Sequence, residues 1–179
     1  MALEFRDAGN YKKQVARLYR RAFPLMEKLP LPFLYYRAKR GIGSFHAIAE
    51  DGVFAGLIYT MRLENLVCLY YFAIEENRRG RGTGRNVLQM LRERYPDCAI
   101  VLLIEDTADP TVSNYAQRIG RVGFYERGGF RQLHIHIKEA GVAYELLGTD
   151  AGITKDDYLM MMRTFFGGLL YRILYERQK

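Results

Sequence analysis

The chain has 179 residues, 49% of them apolar, with 14 Tyr and 10 Phe. That is enough for one ordinary domain with a real core. No run reaches the roughly 18 uncharged apolar residues of a membrane helix, the first residues lack a signal-peptide layout, and two cysteines are too few for a disulfide scaffold. A cytoplasmic protein with buried, reduced Cys68 and Cys98 is therefore expected, with no membrane partner.

In chain order, "ALEFR" reads as a short strand and "DAGNYKKQVARLYRRAF" as a helix with Val15, Leu18, Tyr19 and Ala22 on one stripe. "PLMEKLPLPF" holds three of the five prolines and is an irregular connection. "FLYYRAKR" makes a second short helix ending at Gly41. An Asp-Gly turn joins "SFHAIAE" to "VFAGLIYTM" as a hairpin. "NLVCLYYFAI" is a strand apolar enough for both faces to be covered. A helix follows with Gly84, Val87, Leu88, Leu91 and Tyr95 on one face, stopped by Pro96. "CAIVLLIED" is a further strand, residues 112–126 a helix, and "FRQLHIHIK" and "VAYELL" a strand pair. A terminal helix opens on Thr154 and Asp157 and bends at Gly167-Gly168. The order predicts an α/β (α+β) domain around a mixed central sheet of about six to seven strands, flanked by helices, with an extra C-terminal helix.

The net charge of +7 is concentrated. Between Arg78 and Arg94 stand six arginines against Glu93 alone, which accounts for five of the surplus charges. Such a focus suits a pocket for a small polyanion and argues against a nucleic-acid face. At its centre lies "NRRGRGTGRNVLQML", a glycine turn between a strand and a helix. The first N–H groups of a helix have no internal acceptor and carry the positive end of the helix dipole, so this layout binds phosphate. Glycine lets the backbone approach the anion, and Arg79, Arg81 and Arg85 can add charge-assisted hydrogen bonds. The Lys-Ser/Thr pair of a Walker loop is missing, and the third glycine of a dinucleotide fingerprint falls one residue early, at Gly84. The pattern R/Q-x-x-G-x-G/A is matched by "RGRGTG", Arg79 to Gly84, at every fixed position.

With "FAIEEN" before it and an amphipathic helix after it, that motif resembles the turn on which GNAT acetyltransferases hold the pyrophosphate of acetyl-CoA. "FYERGGF", residues 124–130, is similar to the family's Y-E-K-L-G-F segment and lies about 45 residues further on. The resemblance covers residues 1–147, with 148–179 as a C-terminal helical extension. It implies an N-acetyltransferase that moves an acetyl group from acetyl-CoA, its co-substrate, to a primary amine by direct attack in a ternary complex. A non-catalytic acyl-CoA-binding module of the same fold is the alternative.

By position, the resemblance assigns the pantetheine and acetyl carbonyl to backbone groups of Phe72, Ala73 and Ile74. The pyrophosphate goes to the N–H groups of Gly80, Arg81, Gly82, Thr83, Gly84 and Arg85. Tyr125 matches the tyrosine that protonates the departing thiolate; a phenol near pKa 10 facing a thiol near 8.5 must rely on positioning. Glu105, at the end of "IVLLIE", is the best-placed base. Where relatives often carry an Asn seven residues before the tyrosine, contacting coenzyme A, this chain has Arg118; either Arg118 replaces that contact or the coenzyme path differs locally. The connection between the first two helices offers an aromatic pocket with one carboxylate, Glu27, Phe33 and Tyr36 together with Phe23 and Tyr35, suited to a cationic amine.

No metal is expected. His134 and His136 fall on one strand face, but no cysteine or acidic cluster accompanies them. The terminal helix has Leu159, Met162, Phe166, Leu169 or Leu170, and Ile173 on one stripe, which covers the domain's own sheet or docks on a second copy; a homodimer is preferred because the core looks complete without it.

Overall fold

The computed structural model describes residues 2–176. Its strands are β1 (Leu3–Asp7), β2 (Gly43–Glu50), β3 (Val53–Leu63), β4 (Leu66–Ile74), β5 (Ala99–Glu105), β6 (Arg131–Glu139) and β7 (Val142–Gly148). They hydrogen-bond in the order β1-β2-β3-β4-β5-β7-β6. The sheet is mixed, as expected: β1–β2, β2–β3, β5–β7 and β6–β7 are antiparallel, whereas β4 and β5 run parallel through Leu66/Ala99, Val67/Ile100 and Cys68/Val101. The chain divides into two compact units, one made of Met1–Arg62 and Leu69–Pro96, the other of Leu63–Cys68 and Asp97–Lys179. Among the described residues no helix is long and apolar enough to cross a membrane.

In the first unit, α1 (Lys12–Ala22) follows a 3₁₀ turn, Ala8–Tyr11, rather than beginning at Asp7. The Asp7 carboxylate accepts the Gly9 N–H at 2.6 Å and holds that tighter turn. Val15, Leu18 and Tyr19 are buried, the stripe read from the periodicity. Pro30 and Pro32 fit the start of α2 (Leu31–Lys39), where missing N–H groups cost nothing. Asp51 and Gly52, at φ 49° and 79°, make the tight hairpin turn. The buried face of α3 (Thr83–Arg94) carries Val87, Leu88 and Leu91. Burial of each such side chain is worth about 1.5–3 kcal/mol.

The second unit holds α4 (Tyr115–Arg127), α5 (Lys155–Phe166) and α6 (Gly168–Tyr171). α4 begins three residues later than expected. Asp106 and Asp109 each accept the N–H two residues on, at 2.7 and 2.9 Å, and these side-chain turns compete with helix. The capping box of Thr154 and Asp157 forms, and Gly167 breaks the terminal helix. The stripe on α5 is rotated from the expected one: Tyr158, Met161, Met162, Phe165 and Phe166 are buried, while Leu169 is 79% and Ile173 47% exposed. Cys68 is buried, but Cys98 lies partly exposed in the turn before β5, contrary to expectation.

Candidate active site

The glycine turn has the geometry of an anion seat. Gly80 and Gly82 stand at φ +74° and +85°, a region where a Cβ is strained, and a Cβ at either would point into open space. Gly82 is the N-cap of α3, and no side chain caps that helix. The first internal bond runs from the Asn86 N–H to the Gly82 carbonyl at 3.0 Å, so the N–H groups of Thr83, Gly84 and Arg85 have no helical acceptor. Arg81 and Arg85 are exposed and make no ion pair among the described residues. Arg79 instead turns back, its Nε donating to the Ile74 carbonyl at 3.0 Å. Thr83 is 1% exposed and its hydroxyl is spent inward, which leaves only its N–H for a ligand.

Two buried carboxylates, which the sequence reading did not single out, brace this turn. Glu50, at the end of β2, accepts from the Thr83 hydroxyl at 3.1 Å and from the Arg78 guanidinium. One carboxylate thus fixes residues on both sides of the glycines. Glu75, directly after β4, accepts from Arg17 at 3.4 Å and from Arg21, both on α1. Its N–H donates to the Ala55 carbonyl at 2.8 Å. By strand alternation, Ala73 points its backbone groups the same way, toward β3, and Phe72 and Ile74 point theirs to the other edge. Of the three β4 positions assigned to the coenzyme, Phe72 and Ile74 are the ones so directed.

In the second unit Tyr125 lies near the end of α4, half-buried between the rings of Phe124 and Phe130, at 5.0 and 5.7 Å. Its hydroxyl has no hydrogen-bond partner among the described residues. Burial pushes this phenol up to about 12, partly opposed by the Arg121 charge. The group therefore keeps its proton through the neutral range and can act only as a donor there.

Glu105 is placed differently from a free base. Its oxygens accept from Asn114 Nδ2 at 3.2 Å, from Arg118 at 3.0 Å and from Arg121. Arg118 is committed as well: Nε donates to the Asn114 side chain at 2.9 Å and Nη1 to the Asp106 carbonyl at 2.7 Å. Arg118 and Glu105 form a structural tie between α4 and β5. Arginines three apart on α4, with a glutamate ending the preceding strand, were the sequence signal for it.

On the acceptor side, Glu27, Phe33 and Tyr36 fall on separate pieces. Residues Leu25–Glu27 form a 3₁₀ turn, while Phe33 and Tyr36 are on α2, with Arg37 over the Phe33 ring at 5.8 Å and Tyr36 55% exposed. Phe23 packs edge-on against Tyr71. The Tyr71 hydroxyl, another residue the sequence did not flag, donates to the Glu27 carbonyl at 2.6 Å and accepts the Leu29 N–H at 3.0 Å, tying the connection to β4. The two histidines take separate carboxylate partners. The β6 register shifts between Gln132 and His136, and His134 adopts φ +56°. His134 Nδ1 lies 3.3 Å from Glu145, and His136 Nδ1 lies 3.1 Å from Asp106.

The chain belongs to the acetyltransferase (GNAT) family, whose sequence profile matches residues 12–130, and it is an N-acetyltransferase of that type. No curated protein matches it by sequence. Among solved structures it is similar to a GNAT-family protein from Bacteroides thetaiotaomicron, at 19% identity and TM-score 0.73, over 96% of this chain and 98% of that one. It is also similar to an aminoglycoside 6'-N-acetyltransferase complexed with coenzyme A, at 15% identity and TM-score 0.63, over 87% and 100% of the two chains. Arabidopsis thaliana Naa50, in complex with the bisubstrate analogue CoA-Ac-MVNAL, aligns at 15% identity and TM-score 0.59, over 83% and 97%. At these identities the likeness is one of fold.

Proposed function

We propose that this protein moves the acetyl group of acetyl-CoA to a primary amine by direct attack in a ternary complex. What carries the reading is the turn at residues 79–85: two glycines at positive φ beside open space, three helix-start N–H groups without helical acceptors, and Arg81 and Arg85 without acidic partners among the described residues. A diphosphate satisfies all of these together. The pantetheine follows the β4 edge presented by Phe72 and Ile74.

The amine nitrogen attacks the thioester carbonyl carbon, the C–S bond breaks, and the sulfur leaves with the electron pair. Tyr125 supplies the proton to that sulfur. The amine's own proton passes to solvent water or to Glu105. Two guanidinium groups already occupy the Glu105 oxygens, which favours water. The acceptor-binding residues in this reading are Glu27, Phe33 and Tyr36.

Calorimetric titration of coenzyme A at moderate salt tests the first half, with one-to-one binding expected. The absence of heat would overturn the assignment of the turn. Thiol release from acetyl-CoA in the presence of a panel of amines tests the second half. Binding without amine-dependent release would reduce the protein to an acyl-CoA-binding module.

A further inference from the structure

We propose that the first unit carries a second ligand site, built for a small organic anion, in the cavity framed by the start of α1, by α2 and by the start of β2. The cavity has a volume of about 750 Å³. Arg94, on its wall, ends the helix that Thr83 begins. At about 1.5 Å rise per residue, that helix sets the cavity about 17 Å from the glycine turn. The coenzyme's diphosphate seat and this cavity are therefore separate places.

The charge of the lining selects the ligand. Lys12, Lys39 and Arg94 converge on the cavity, and none has an acidic partner among the described residues. The one carboxylate on the wall, Asp7, is already engaged by the Gly9 N–H. His46 stands on the same wall, and its imidazole is held below its ordinary value, first by burial and then by the Arg94 charge, against a smaller opposing effect of Asp7. Three cations and a neutral imidazole beside one committed carboxylate form an anion site waiting for its counter-charge.

Apart from Ser44 and the Tyr35 hydroxyl, the rest of the lining is apolar, and this separates an organic anion from free phosphate. Phe45 is buried beneath the cavity, with the Tyr35 ring 5.0 Å from it, and Leu31 and Pro32 continue the surface. A bare inorganic ion meets the cations and leaves this surface unused. A phosphate monoester or carboxylate carrying one ring or a short chain uses both.

The test is an NMR titration of the full chain with phenyl phosphate, read at the His46 ring protons, with and without saturating coenzyme A. We expect a saturable shift in both conditions, with a dissociation constant on the order of 1 mM or tighter, and an upward move of the His46 titration midpoint on binding. Inorganic phosphate should bind at least about tenfold more weakly, a difference of about 1.4 kcal/mol. Lys39→Glu and Arg94→Glu, both at exposed positions, should each weaken phenyl phosphate about tenfold while leaving the melting temperature and coenzyme A affinity unchanged. Lys39→Ala provides a milder second variant if either reversal lowers the melting temperature. A His46 signal that does not respond, one-for-one displacement by coenzyme A, equal binding of inorganic phosphate, or undiminished binding in the charge variants would each overturn the proposal.

Discussion

In the unit formed by Met1–Arg62 and Leu69–Pro96, 17 basic residues stand with 8 acidic ones, a net of +9; the unit formed by Leu63–Cys68 and Asp97–Lys179 has 10 and 12, a net of −2. The arginines of the two behave differently. Around the glycine turn the carboxylates take Arg17, Arg21 and Arg78 and leave Arg81 and Arg85 facing solvent without an acid. On α4 two arginines are turned inward, with Arg118 and Arg121 both closing on Glu105. The difference teaches that an arginine's availability to a ligand depends on its unclaimed donors more than on its place in an aligned motif.

The largest way to break this comparison is to destroy the seat that the free arginines serve. Gly82→Val forces a β-branched residue into φ +85° and fills the open space proposed for the diphosphate. Coenzyme A affinity should fall on the order of 100-fold or more by calorimetry; near-normal binding would mean that the turn is not the seat. Tyr125→Phe removes the proposed proton donor and keeps the ring packing. Here kcat should drop about 100-fold with the KM for acetyl-CoA within about twofold. Because burial holds this phenol near 12, no loss of activity due to its deprotonation should occur between neutrality and pH 10.

A reciprocal pair sharpens the comparison directly. Arg81→Ala and Arg85→Ala should each lower coenzyme A affinity about tenfold without changing the melting temperature. Arg118→Ala should do the reverse, because it leaves Glu105 and the Asp106 carbonyl short of a donor: a loss of about 1–3 kcal/mol, hence several degrees of melting temperature, with coenzyme A affinity within about twofold. A large affinity loss in Arg118→Ala would restore it as a coenzyme contact. The smallest effect is on pH. His46 is held below its ordinary value, so its contribution to stability is present above about pH 6.5 and is lost as pH falls through its folded midpoint. His46→Gln should flatten that acid-side fall in a series of thermal melts.

Most strands and helices were legible because their signals are local: the Asp-Gly turn, the prolines opening α2, the cap at Thr154. The glycine turn was legible for the same reason, since φ preference and helix start are written in adjacent residues. The phase of α5 was not. "YLMMMRTFF" is apolar nearly all round, so periodicity finds a helix without choosing which stripe is buried. His134 and His136 alternate perfectly in sequence, and only the paired strand reveals the register shift between Gln132 and His136. Glu50 and Glu75 were missed because their partners lie 28 and 54 to 58 residues away along the chain. A carboxylate that braces a phosphate turn carries no signature of its own in one sequence.

The Tyr71 hydroxyl, gripping one carbonyl and one amide of the proline-rich connection, acts as a rivet. With backbone fastened at residues 27 and 29, that segment cannot swing as a flap. The side chains of Leu25 and Met26, in the 3₁₀ turn just ahead of the rivet, are 81% and 73% exposed. Exchanging those two side chains would change the surface of the connection while residues 27 and 29 stay fastened.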